Sequence, residues 1–159
     1  MSVRQTVVAL FRGINVGGNH CITMASLTSM LVSLGLTDLR TYLQTGNVTF
    51  NTDKDLSQLS EDISCILNQE TGFDIPVILF SKSNFNNFIL NNPFLTHEYN
   101  PKYCHFFFFQ NRISLADSDV SGLQVLLSSS ERCYIRDTIV YLYAPDGIGR
   151  SRFVAHIEK

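Results

Sequence analysis

The chain has 159 residues, 45% of them hydrophobic and 16% charged, with 12 basic and 14 acidic side chains and a formal net charge of -2. That composition is enough for a core and does not read as disorder; the basic residues are scattered, which argues against a dedicated nucleic-acid binder. The four cysteines, Cys21, Cys65, Cys104 and Cys133, lack the short spacing of a zinc knuckle or redox motif and read as buried thiols in a reducing compartment. No cofactor is implied. The N-terminus offers no charged region followed by a long apolar one, so the expectation is a cytoplasmic protein without a signal peptide, transmembrane segment or membrane partner.

In chain order, Val3 to Leu10 is β-branched and apolar, as in a buried strand, and a glycine-rich loop, Phe11 to Asn19, interrupts it. Thr23 is the expected N-cap of a helix that aligns Met24, Leu27, Met30, Leu31 and Leu34 and stops at Gly35. Leu39 to Leu43 and Val48 to Phe50 form a hairpin around Gln44-Thr45-Gly46-Asn47, where Gly46 or Asn47 takes a positive φ. Asp53 to Gln69 has Leu56, Leu59, Ile63, Ile66 and Leu67 at helical spacing, and Ile75 to Phe80 is a strand whose Pro76 suits a sheet edge. This first half, residues 1–80, reads β-α-β-β-α-β, the ferredoxin-like order.

Residues 81–102 read as a helical connector, with Phe85, Phe88 and Ile89 inward over Ser81 to Leu90 and an end at Asn92-Pro93. Residues 103–159 read as a second, similar subdomain. It comprises a strand over Tyr103 to Phe109, a helix over Val120 to Leu127, strands over Cys133 to Arg136 and Ile139 to Tyr143, and a helix over Ser151 to Glu158. The fold class is therefore α+β, two ferredoxin-like halves of which the second lacks a final strand, an order that suggests internal duplication.

Two loops pair glycine with arginine. In the first, Arg12 stands beside Gly13, Gly17 and Gly18; in the second, Pro145-Asp146-Gly147-Ile148-Gly149-Arg150-Ser151, Arg150, with Arg152 just beyond, stands beside Gly147 and Gly149. Glycine lets the backbone approach a ligand, and the guanidinium is a planar fork of donors for phosphate or carboxylate. Gly13 and Gly18 have P-loop spacing, but Asn19 and His20 hold the places of the lysine and the magnesium-ligating hydroxyl. Gly147-Ile148-Gly149 resembles a dinucleotide fingerprint in part, with Arg152 or Phe153 where its third glycine belongs.

Three segments, Leu10 to Gly18, Thr41 to Val48 and Pro145 to Ser151, resemble the signatures of the domain of unknown function 1697 family of small, mainly bacterial proteins. The resemblance implies an α+β protein of two ferredoxin-like halves and supplies no activity. Members of that family continue past the last helix into a segment containing threonine, arginine, asparagine and tryptophan; this chain has no tryptophan.

The leading expectation is a binding protein for a small anionic ligand, a nucleotide or a nucleic-acid backbone, held between the two loops. Arg12 and Arg150 would supply charge, Gly13, Gly17, Gly18, Gly147 and Gly149 close approach, and Asn15, Asn19, Asn47 and Ser151 neutral contacts. One alternative is an enzyme of unknown reaction using Asn47, His20 or Asp146 in the same pocket. Another is an interaction module presenting the edge near Pro76 or part of the aromatic run Phe106 to Phe109, which otherwise reads as core. His20-Cys21 and Cys104-His105 read as neutral histidines beside buried thiols rather than metal ligands.

Overall fold

The computed structural model describes residues 4–15, 20–42, 46–113 and 122–157. They fall into two compact units, residues 1–89 and 90–159. Among the described residues no helix is long and apolar enough to cross a membrane.

The first unit contains β1 (Gln5–Phe11), α1 (Met24–Ser33), β2 (Thr37–Tyr42), β3 (Asn47–Thr52), α2 (Leu56–Thr71), β4 (Val77–Ser81) and most of α3 (Lys82–Leu90). Its four strands form one antiparallel sheet in the order β2-β3-β1-β4. Alternation along the strands sends Val7, Ala9, Phe11, Val48, Phe50 and Val77 to one face, where they meet Leu27 and Leu31 of α1 and Leu59, Ile63 and Leu67 of α2. Val7 stands opposite Phe50, and Ala9 opposite Val48 and Leu79, so the small residue sits at the middle of the sheet between larger neighbours.

Local capping chemistry sets the helix boundaries. Thr23 accepts from the Ser26 N–H at 3.0 Å and starts α1 where the sequence places it. The second helix begins at Leu56 rather than Asp53, because the Asp55 carboxylate accepts from the N–H groups of Ser57 and Gln58, at 2.9 and 3.1 Å. Pro76 lies just before β4 rather than inside it, and its carbonyl still extends the sheet by accepting from the Arg12 N–H at 2.9 Å. On α3, Phe85 and Phe88 are half-buried against Phe80, with ring centroids 6.2 and 5.1 Å away. Ile89, expected on the inner face, is instead 41% exposed.

The second unit contains β5 (Cys104–Phe108), β6 (Arg132–Arg136), β7 (Ile139–Tyr143) and a short helix α4 (Arg152–Ile157), with single 3-10 turns at Pro101–Tyr103 and Ile148–Arg150. Of the helix expected over Val120 to Leu127, residues 122–124 are helical, and 120 and 121 lie outside the described residues. The sheet order is β5-β7-β6, again fully antiparallel. One face carries Val140 and Leu142, which pack with Phe153 and Val154 of α4 and with Phe107, Leu123, Leu127, Cys133 and Ile135. On the other face Phe106 stacks on Phe108 at 6.2 Å and meets Tyr141 edge-on at 5.3 Å. Tyr141 is only 1% exposed, so this part of the aromatic run is packed rather than offered as a stacking platform.

We expect Asp55→Ala to destabilise the first unit by about 1 kcal/mol, the usual cost of a lost N-cap. Urea unfolding followed by circular dichroism measures it, and an unchanged midpoint would mean that the cap bonds are replaced by water at no cost.

Candidate functional site

Each loop is built by its own unit. In the first, β1 ends at Phe11, and Phe11 and Ile14 both turn into the core, 6% and 1% exposed, leaving Arg12 and Gly13 exposed between them. Two apolar anchors thus fix the segment that presents the guanidinium. Asn15 then takes a left-handed conformation, with φ 55°, and clamps the base of the loop. Its side-chain Nδ2 donates to the Ile22 carbonyl at 2.8 Å, its Oδ1 accepts from the Ile22 N–H at 2.9 Å, and its own N–H donates to the His20 carbonyl at 3.2 Å. An asparagine expected to touch ligand is therefore occupied in closing the loop, as Asn readily does with nearby backbone. Gly17, Gly18 and Asn19 lie outside the described residues.

The hairpin loop abuts this segment. Gly46 is buried with φ +78°, and a Cβ there would strike the Ile14 side chain and lie 3.1 Å from the Phe11 Cβ. The positive φ expected at Gly46 or Asn47 falls on Gly46, and the reason is twofold: backbone geometry and the seat of Ile14. Asn47 follows as the first residue of β3, opposite Leu10 and Tyr42. The first two signature segments of the sequence thus meet at Gly46 and Ile14. His20, also with a left-handed φ of 46°, lays its ring on Phe73 at 4.6 Å.

In the second unit the loop after β7 is shaped by Gly147, whose φ of 89° allows the turn that its N–H closes onto the Ala144 carbonyl at 3.1 Å. The following 3-10 turn carries Gly149 and Arg150, both exposed. Ser151, expected as a ligand contact, is 6% exposed and caps α4: its Oγ accepts from the Val154 N–H at 3.2 Å. Asp146 accepts from the Ser130 hydroxyl at 2.6 Å instead of pairing with a loop arginine. A cavity of about 290 Å³ adjoins this loop, lined by Leu127, Ser128, Asp146, Gly147, Arg150 and Arg152 among others. Neither Arg150 nor Arg152 makes a side-chain hydrogen bond or ion pair among the described residues, where the ion pairs are Arg4 with Asp38 and Arg112 with Asp137. Arg152, the first residue of α4, stands with Arg150 on this hollow, as the sequence pairs them.

The cysteines differ from expectation in burial. Cys21 and Cys65 are exposed, Cys21 in the loop before α1 and Cys65 on the outer side of α2, whereas Cys104 and Cys133 are half-buried. Burial lowers the His105 pKa and raises that of Cys104, keeping both neutral, and alternation along β5 sends them to opposite faces. The Cys133 thiol is pushed up to about 12 by burial and the nearby Glu131 carboxylate. No group of three or more His, Cys, Asp or Glu residues suited to a metal occurs among the described residues.

A family model described as "Protein of unknown function (DUF1697)" matches residues 4–141. No curated protein matches the chain. Among solved structures, the conserved bacterial protein SP0830 from Streptococcus pneumoniae is similar, with 23% identity and a TM-score of 0.74 over 99% of this chain and 87% of that one. At that identity the likeness is one of fold.

Gly46→Ala should cost roughly 2–4 kcal/mol, from the left-handed backbone and the overpacking of Ile14 together. Chemical unfolding of the variant measures this, and a wild-type midpoint would show that Ile14 moves aside freely. For the thiols, alkylation at pH 8 with mass-spectrometric mapping should label Cys65 well before Cys133, since only the thiolate reacts. Equal rates would contradict the raised Cys133 pKa.

Proposed function

We propose that this chain, which belongs to the DUF1697 family of proteins of unknown function, binds a small ligand bearing a phosphate or carboxylate through its glycine–arginine loops. The observation that carries the reading is the cavity beside Gly147, where Arg150 and Arg152 stand without a protein acceptor among the described residues. A guanidinium so placed has donors to spend on an anion, and a planar oxyanion fits its fork. The acids in the same wall already have donors, Asp146 from Ser130 and Glu131 from the Ser128 N–H at 2.8 Å, which reduces their competition for the arginines.

In the first unit Arg12 is the corresponding residue, exposed between the buried Phe11 and Ile14. Its loop is held from three sides: the Pro76 carbonyl, the Asn15 clamp and the Gly46 seat. Such fixing reduces the ordering cost of binding. In this reading each unit offers its own anion contact: Arg12 with the Gly13 backbone in the first, and Arg150 with the Gly147 and Gly149 backbone in the second. Asn15, Gly46 and Ser151 act as positioning residues, while Gly17, Gly18, Asn19 and Asn47 remain proposed contacts of the first loop.

We further infer that both units follow the ferredoxin-like plan, the second without its fourth strand. Supporting this, β1-β3-β2 in the first sheet and β5-β7-β6 in the second run in the same order, and both are antiparallel.

Titration with inorganic phosphate, a nucleoside monophosphate and a short oligonucleotide tests the function. Loss of a charge-assisted contact costs about 1.5–3 kcal/mol, so Arg12→Ala and Arg150→Ala should each weaken anion binding at their own loop roughly ten- to a hundredfold. Affinity unchanged in both variants would overturn the reading.

A further inference from the structure

We propose that the ligand of the second unit is an amphipathic anion: its charged head lies on Arg150 and Arg152, and its apolar body fills an adjoining hollow behind β6. The inference rests on the anion reading of the Gly147–Ser151 loop and names the ligand class that this loop would take.

The hollow has a volume of about 690 Å³ and an apolar lining of Ile113, Leu123, Leu127, Cys133, Ile135 and Phe153. Its size falls within the roughly 300–1,000 Å³ usual for small-molecule sites. It shares Leu127 and Glu131 with the smaller cavity at the Gly147 loop, so the two spaces adjoin across one short stretch of wall.

The charged groups bordering the larger space are already partnered within the protein. Arg112 pairs with Asp137 at 2.8 Å, the Arg132 guanidinium donates to the Ser129 and Glu131 carbonyls at 2.7 Å each, and the Glu131 carboxylate accepts from Ser128. Apart from the neutral Gln124 amide and Tyr134 hydroxyl, what the larger space offers a ligand is therefore apolar surface. Cys133 adds to it, because its strongly raised pKa keeps the sulfur a neutral thiol at physiological pH. The unspent donors are those of Arg150 and Arg152, on the smaller space. Head and body are thus recognised by different chemistry on either side of Leu127.

A series of straight-chain carboxylates tests the inference on the full chain: butyrate, hexanoate, octanoate and decanoate, each below its micellar concentration, with 1-decanol as the uncharged control. Affinity should rise about two- to fourfold per added methylene, as expected when each buries its surface. Arg150→Ala combined with Arg152→Ala should weaken every acid by a similar factor. Decanoate should slow the alkylation of Cys133, and butyrate should not; Leu123→Trp should abolish the dependence on chain length while leaving butyrate bound.

If butyrate binds and requires the arginines but longer acids bind no better and leave Cys133 unprotected, the amphipathic inference fails and the anion reading stands. If 1-decanol binds as well as decanoate, or the double variant binds all acids normally, the charged head is wrong and both readings fail for this loop. Failure of every acid to bind overturns the amphipathic inference, and failure of inorganic phosphate to bind as well overturns the anion reading for this unit.

Discussion

The seating of Ile14 beside Gly46 is the contact on which the first unit's functional surface depends. Ile14 is almost fully buried, and it reaches that position only because the hairpin residue opposite has no Cβ. A side chain at 46 would displace Ile14, and the segment between the buried Phe11 and Ile14 is the one that carries Arg12. A packing constraint at one glycine therefore controls the presentation of a charged group that is itself exposed. The Asn15 clamp on Ile22 completes the arrangement from the other side, replacing a strand-like backbone pair with one side-chain amide.

The second unit solves the same problem with different means. Gly147 makes the turn after β7, and Ser151 stops the loop by capping α4, whose Phe153 and Val154 fasten it to the sheet. Between turn and cap stand Gly149 and Arg150, exposed on a single 3-10 turn. In both units, residues that look like ligand contacts in sequence divide into those that reach outward and those that hold the backbone so that others can. A short polar side chain serves either purpose, and its sequence neighbours do not distinguish them.

Much of the fold was legible because burial periodicity and capping are local. The spacing of Leu59, Ile63 and Leu67 marks α2, the β-branched, apolar run ending at Leu10 marks β1, which continues to Phe11 in the structure, and the Thr23 cap places α1. Boundaries shifted where a neighbouring side chain intervened, as when Asp55 captured two N–H groups and began α2 at Leu56, the first apolar residue of its pattern, rather than at Asp53. The helical pattern of α3 was read correctly, yet the place of Ile89 on it was not, because its exposure depends on what the rest of the chain leaves uncovered.

The sequence by itself determined the order of helices and strands, the family, and the presence of two loops rich in glycine and arginine, since each follows from residues near one another in the chain. Tertiary structure alone decided that Gly46 makes room for Ile14 and that Arg150 and Arg152 border a cavity adjoining an apolar hollow. Those facts depend on residues far apart in sequence: Gly46 lies beyond a helix and a strand from Ile14, and Leu127 lies a whole hairpin away from Arg150. Hydrogen bonds and close packing are satisfied in space, so the partner that uses up a polar group, or leaves it available, is fixed only when the chain has folded.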